Sequence, residues 1–175
     1  IMPKTIINWL FETDAIRVCE PEQPFWYTSG TLGPYYINTH FLFGNEKEAS
    51  KLLALIEQST ADPQQLPQIL ARAVQKQYDS NAIYHDLCDL IVSWLRSCEF
   101  DLISGGERRD FFFSIQTAQL MGKPHLSILK DGTCIYSEPG SSTSRLIEND
   151  DLAGQRALHI ADLVTEASSY QRAWL

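Results

Sequence analysis

Basic residues are scarce in this chain. Lys and Arg number 14 against 22 Asp and Glu, a formal net charge of −8 over 175 residues. That balance argues against a nucleic-acid coat or a membrane-surface binder, and no nucleic-acid or membrane partner is expected. It leaves room for a local positive pocket that takes a small anion. Cysteine is sparse too: Cys19, Cys88, Cys98 and Cys134 form no CxxC pair and match no zinc spacing. Reduced thiols in the cytoplasm are the expectation. No apolar run approaches the ~20 residues that span a bilayer. Residues 1–5 form no signal core, and 6–11 is short and interrupted by Asn8. His40, His85, His125 and His159 are scattered without metal-ligand spacing, so no metal-ligating residue is assigned. A nucleophile elbow, a Walker loop and a G-x-G-x-x-G turn are all absent.

What is present is an ordinary globular composition, 44% hydrophobic and 21% charged, enough for one domain with a sizeable core. Apolar spacing predicts an amphipathic helix over 4–18, ended by Pro21 and Pro24. Strands at 25–28 and 35–39, separated by Ser29-Gly30 and Gly33-Pro34, read as a hairpin. A helix over 46–58 follows. Residues 62–99 read as mostly helical, beginning at Asp62-Pro63 and passing through Leu66, Leu70 and Val74, then Leu87, Leu90 and Trp94. Beyond them a strand (100–104), a helix (109–121), a strand (125–129), an extra strand (133–137) and a strand (157–161) alternate, with a helix after Ser169. The fold class this implies is α/β, a mostly parallel sheet flanked by helices. Ligands on such sheets sit beyond the carboxyl ends of the strands, so the loops after Ser104, Leu129 and Ala161 can converge on one cleft.

Four stretches carry the chemistry. Ser104-Gly105-Gly106-Glu107-Arg108-Arg109-Asp110 joins a strand to a helix; its glycines permit close backbone approach and its arginines suit phosphate oxygens. The other reading is a plain turn with solvated arginines. Leu158-His159-Ile160-Ala161-Asp162-Leu163-Val164-Thr165-Glu166-Ala167-Ser168-Ser169 is a strand, a carboxylate, a polar loop and a helix start. Loop N–H groups, hydroxyls and the helix end can hold a phosphate, and Asp162 can hold ribose hydroxyls unless it is only a cap. Aromatic residues in the 25–38 hairpin can stack a planar base, or simply fill the core. Lys130 opens a Ser- and Gly-rich stretch, running past Arg145, that reads as a lid or as a surface hairpin. His159 reads as a satisfied core histidine.

The strand–Asp162–Thr165/Ser168 layout resembles the motif that binds phosphoribosyl pyrophosphate (PRPP) in type I phosphoribosyltransferases. The hairpin, with Ser29-Gly30, Gly33-Pro34 and Tyr35-Tyr36, resembles that of the orotate-using branch. The resemblance spans roughly 4–58 and 100–174 and treats the chain as a single domain. It implies an N-terminal helix and hairpin hood over 1–45, a helical insertion at 62–99 and a PRPP-binding core over 100–175 that ends short of the family's last strands. It implies Asp162, Lys130 and Arg108 as catalytic residues. Gly105, Gly106, Glu107, Arg108, Arg109, Asp162, Thr165, Glu166, Ala167, Ser168 and Ser169 would bind PRPP, and Thr28, Ser29, Gly30, Tyr35 and Tyr36 the base.

The implied reaction is transfer of phosphoribosyl from PRPP to a nucleobase such as orotate, with Mg2+ carried mainly by PRPP, in a cytoplasmic homodimer. Ala161 and Ala167 replace the usual acidic residue and glycine, Thr28 replaces a common lysine, and Glu166 lies inside the phosphate loop. These departures keep a second expectation open: a catalytically impaired, PRPP- or nucleotide-binding regulator. A weaker third is a partner-binding protein using the 62–99 helices.

Overall fold

The computed structural model describes residues 4–27, 30–148 and 151–163. Helix α1 (Lys4–Glu12) leads into strand β1 (Ile16–Val18). The predicted helix over 4–18 therefore stops early. The Thr13 hydroxyl bonds back to the Trp9 carbonyl at 2.7 Å, Asp14 takes a φ of 56°, and Ile16-Arg17-Val18 is drawn into pairing with another strand. The hairpin is also built differently from the expectation. Strand β2 (Phe25–Trp26) pairs antiparallel with β3 (Leu32–Gly33), while β4 (Tyr35–Ile37) pairs with β1. Gly33 is what allows the Tyr27 ring to lie flat on the ribbon, because a β-carbon there would overlap the ring.

A 3-10 turn, Thr39–Phe43, buries His40, Phe41, Leu42 and Phe43. Helices α2 (Glu46–Ser59), α3 (Leu66–Ser80) and α4 (Ala82–Leu95) follow. Asn45 and Asn81 cap α2 and α4, accepting the Glu48 and Tyr84 N–H groups at 3.0 and 2.9 Å. α3 begins later than Asp62-Pro63, with Pro67 in its first turn. Leu66, Leu70, Val74, Tyr84, Leu87 and Cys88 enter the same apolar cluster as Phe111 and Phe112, so the 62–99 helices belong to the main core.

The larger sheet is formed by β5 (Leu102–Gly106), β6 (His125–Ile128), β7 (Cys134–Ser137), β8 (Ser144–Leu146) and β9 (Ala157–His159), in the order β8-β7-β6-β5-β9. β5 pairs parallel with β6 and β9, whereas β6–β7 and β7–β8 are antiparallel. The sheet is thus mixed, not mostly parallel: the five residues 129–133 are too few for a crossover and make a hairpin instead. The Ser- and Gly-rich turn after β7 also falsifies the lid expectation. Ser137 pairs with His125, the first residue of β6, so that turn lies at the edge of the sheet opposite the carboxyl ends of β5 and β6.

Helix α5 (Phe111–Met121) packs on β5 and is buried nearly all round, through Phe111, Phe112, Phe113, Ser114, Ile115, Gln116, Thr117 and Ala118. Its closest approach is at Gly105, where a β-carbon would fall within 2.8 Å of the Ser114 β-carbon and overlap its hydroxyl. The Ser114 hydroxyl meets His125 Nε2 at 2.9 Å, and Nδ1 of the same ring meets the Ser127 hydroxyl at 3.0 Å. One buried imidazole therefore ties α5 to β6. Among the described residues no helix is long and apolar enough to cross a membrane.

Because β5 and α5 leave no room for a methyl group, Gly105→Ala is expected to lower the unfolding free energy by about 1–3 kcal/mol, read by equilibrium denaturation. An unchanged midpoint would show that the helix can slide away at no cost.

Candidate functional site

Parallel pairing puts the carboxyl ends of β5, β6 and β9 on one side, and the loops that leave them meet there. The turn after β5 is held from both flanks. Glu107 N–H donates to the Ile128 carbonyl at 2.7 Å, and the Glu107 carboxylate accepts the Lys130 backbone N–H at 3.1 Å. The Lys130 ammonium itself is exposed, 4.0 Å from Glu107 Oε1. On the other flank, Asp110 Oδ1 accepts the Asp162 N–H at 2.9 Å, and Asp110 Oδ2 accepts the Gly106 N–H at 3.0 Å. The Glu107–Arg108 peptide is cis.

The two arginines part company. Arg108 forms an ion pair with Glu57 on α2. Arg109 is exposed, and its charge is felt by both Asp162 and His40. Of the two glycines, Gly105 is required by packing on Ser114, and the N–H of Gly106 is turned inward to Asp110. The close approach therefore serves helix α5 first.

Asp162 is half-buried just past β9 and accepts the Thr39 hydroxyl on Oδ2 at 3.0 Å. Burial, reinforced by the neighbouring Asp110 carboxylate, pushes its carboxyl above the ordinary range, while the Thr39 bond and Arg109 pull it back. Behind it, His159 Nδ1 lies 2.9 Å from the buried Ser104 hydroxyl and Nε2 lies 3.4 Å from Asp110 Oδ2. The half-buried His159 ring is held by Ser104 on one side and faces Asp110 on the other. Ser104 is fully buried, so this Ser–His–Asp row is no nucleophile.

His40, in the turn beside Thr39, is a further member that sequence reasoning left unassigned. It packs edge-on against Phe41 and Phe112. Burial, then Arg109 and Arg108, lower its pKa to about 4, with Glu46 opposing. Thr39 carries no signal in the sequence, since its partner stands 123 residues away. Asp110 had one, an Asp at a helix start, but its side chain turns to two loops and makes no cap bond.

The structure brings Gly105, Gly106, Glu107, Arg109, Lys130 and Asp162 to one edge. Gly30, Tyr35 and Tyr36 lie on the N-terminal ribbons; Tyr36 sits 5.9 Å from the Phe25 ring, and chain continuity from Ile37 to Thr39 leads to the cleft. Tyr35 and Tyr36 are exposed. Arg145 is elsewhere, on β8, paired to Asp151 at 3.3 Å. Thr28, Ser29, Thr165, Glu166, Ala167, Ser168 and Ser169 lie outside the described residues. A separate cleft of about 750 Å³ opens at the opposite edge, between α3, α5 and the turn after β7. None of the converging strand ends reaches it.

No family model matches the chain, and no curated protein matches its sequence. Among solved structures it is similar to the crystal structure of orotate phosphoribosyltransferase from Francisella tularensis. The TM-score is 0.53 at 11% identity, over 97% of this chain and 61% of that one. At that identity the likeness shows the fold, which is of the phosphoribosyltransferase kind. The chain spans less than two thirds of the protein it resembles.

Two buried histidines give the molecule a defined acid response. His40 is lowered from 6.5 to about 4, and His125 to about 3 by burial and then by His159. Both fold neutral, so their contribution is complete above pH 6.5 and is lost as pH falls through the folded values. The raised Asp162 acts in the opposite direction, and only in the carboxylate range. Stability is expected to fall by up to about 3 kcal/mol per histidine between pH 6.5 and 4. Denaturation curves of the wild type and His40→Asn read this, the variant showing a shallower slope. Parallel slopes would refute the assignment of His40.

Proposed function

We propose that the chain binds PRPP across the carboxyl ends of β5, β6 and β9 and transfers its phosphoribosyl group to a nucleobase, a pyrimidine such as orotate, releasing pyrophosphate. The observation that carries this reading is the convergence at one edge of a strand-end carboxylate, Asp162, with the arginine-bearing turn 107–110. The fold shared with a phosphoribosyltransferase supports it.

In this reading Asp162 accepts the ribose hydroxyls. Its place half-buried and partly held by Thr39 gives it a fixed direction. Arg109 and Lys130 face the pyrophosphate, and Gly105, Gly106, Glu107 and Arg108 form the wall of that subsite. Thr165, Glu166, Ala167, Ser168 and Ser169 take the 5′-phosphate, and Thr28, Ser29, Gly30, Tyr35 and Tyr36 take the base, the tyrosines by stacking. Attack of a base nitrogen on C1 of the ribose breaks the bond to pyrophosphate. Catalysis of such a step rests on holding the two partners in line and neutralising the leaving group.

Mg2+ fits as a passenger of PRPP. Among the described residues no group of three His, Cys, Asp or Glu could hold an ion alone, and Asp162 Oδ2 and both Asp110 oxygens already accept protein hydrogen bonds. Bound in this way it would supply positive charge to the departing pyrophosphate.

The Arg108–Glu57 pair favours a second reading, a PRPP or nucleotide binder with weak turnover, because it turns one of the two arginines toward α2. Partners in either reading are PRPP and a base, with a homodimer and a cytoplasmic setting as companion proposals.

Calorimetric titration with Mg2+ and PRPP tests the site. Asp162→Asn is expected to weaken binding at least tenfold, about 1.4 kcal/mol. Arg109→Ala should weaken pyrophosphate competition more than Arg108→Ala does, since Glu57 already engages Arg108. Unchanged PRPP affinity in Asp162→Asn would remove that residue from the site. Equal effects of the two arginines would remove the distinction drawn from the ion pair.

A further inference from the structure

Asp110 has no part in the reaction as proposed, yet it touches more of the site's framework than any other described side chain there. Its carboxylate is 16% exposed. Each oxygen is committed to a different segment: Oδ2 to the Gly106 N–H at the end of β5, four residues back, at 3.0 Å, and Oδ1 to the Asp162 N–H 52 residues on at 2.9 Å. The His159 ring, held at Nδ1 by Ser104, stands against the same Oδ2 at 3.4 Å. The backbone of Asp110 is tied as well, because its carbonyl accepts the Phe113 and Ser114 N–H groups that start α5. One residue therefore joins the first turn of the helix, the end of β5 and the loop after β9.

The chemistry of that arrangement is specific. Backbone N–H groups bonded to a carboxylate make stronger, shorter hydrogen bonds than those to a neutral oxygen. Two acceptors are needed at once, on opposite sides of one planar group. Asparagine fills the same volume but offers one oxygen. Alanine offers none. The carboxylate's own charge disqualifies it as a contact for a diphosphate, which it would repel, and both of its oxygens face inward.

The geometry points to Asp110 as a positioning residue that fixes the spacing between the pyrophosphate turn (105–109) and the ribose carboxylate Asp162. This rests on the PRPP reading above. Asp110 acts through the Gly106 and Asp162 peptides, and its removal lets the two loops drift apart while the helix and sheet stay packed through Gly105, Ser114 and His125. A displacement of that kind degrades the binding of a ligand that must bridge both loops and spares a ligand that touches neither.

The test compares the wild type with Asp110→Asn and Asp110→Ala in three measurements: thermal midpoint, KM for PRPP and for the base separately, and amide hydrogen exchange at Gly106 and Asp162 by NMR. The expected result is a KM for PRPP raised at least tenfold in Asp110→Asn and further in Asp110→Ala. The KM for the base should change less than threefold, and the Asp162 amide should lose protection. Equal changes in both KM values, or none, with protection retained, would overturn the proposal and leave Asp110 a structural residue. If Asp110→Ala does not fold, Asp110→Asn decides alone. A wild type that neither binds nor uses PRPP would sink the functional reading and this inference with it. Amide exchange would still report whether Asp110 holds the Asp162 peptide.

Discussion

The contact between Gly105 and Ser114 is the constraint on which the other features depend. It sets how closely α5 lies on β5, and therefore where the first turn of α5 presents Asp110 to the loops at the strand ends. His125 completes the lock from β6, with both ring nitrogens engaged by serine hydroxyls. A buried neutral imidazole with two partners meets the requirement that buried polar groups be satisfied. Phe111, Phe112 and Phe113 then surround the helix with apolar contacts, and Tyr84 donates its hydroxyl to the Phe112 carbonyl from α4. The rigidity of the site follows from this packing.

Acidic and basic groups interlock at the site. The molecule carries −8, but Arg108, Arg109 and Lys130 are gathered at the carboxyl edge of β5 and β6. Among the described residues, four acidic groups near them are occupied: Glu107 by the Lys130 backbone, Glu57 by Arg108, Asp162 by Thr39, Asp110 by two peptides. Carboxylates so engaged hold the basic turn in shape. Of the three cations, Arg109 and Lys130 are the exposed ones, and they are what the edge offers an anion.

Much of this was legible in the sequence, for reasons particular residues make clear. The alternation of apolar strands and helices located β5, α5, β6 and β9 within a few residues. The glycine–arginine turn and the strand ending at Asp162 announced one cleft, because parallel strand ends must lie together. Illegible were the features that depend on partners far along the chain. Ile16-Arg17-Val18 has the spacing to continue a helix, and only pairing with Tyr35–Ile37 makes it a strand. The hairpin nature of 129–133, which renders the sheet mixed, hinges on a short turn that could equally have ended in a loop. The Ser- and Gly-rich turn after β7 has a lid's composition, but register places it at the wrong edge. Thr39 on Asp162 and Asp110 on Asp162 are tertiary choices that no local pattern encodes.

The central claim is that this edge performs phosphoribosyl transfer. The most direct measurement is pyrophosphate release from PRPP and Mg2+ by the folded chain, with orotate, uracil and purine bases offered separately. The account predicts release that requires both PRPP and one base, a pyrimidine. Absence of release with every base, from a chain shown to be folded, would contradict it.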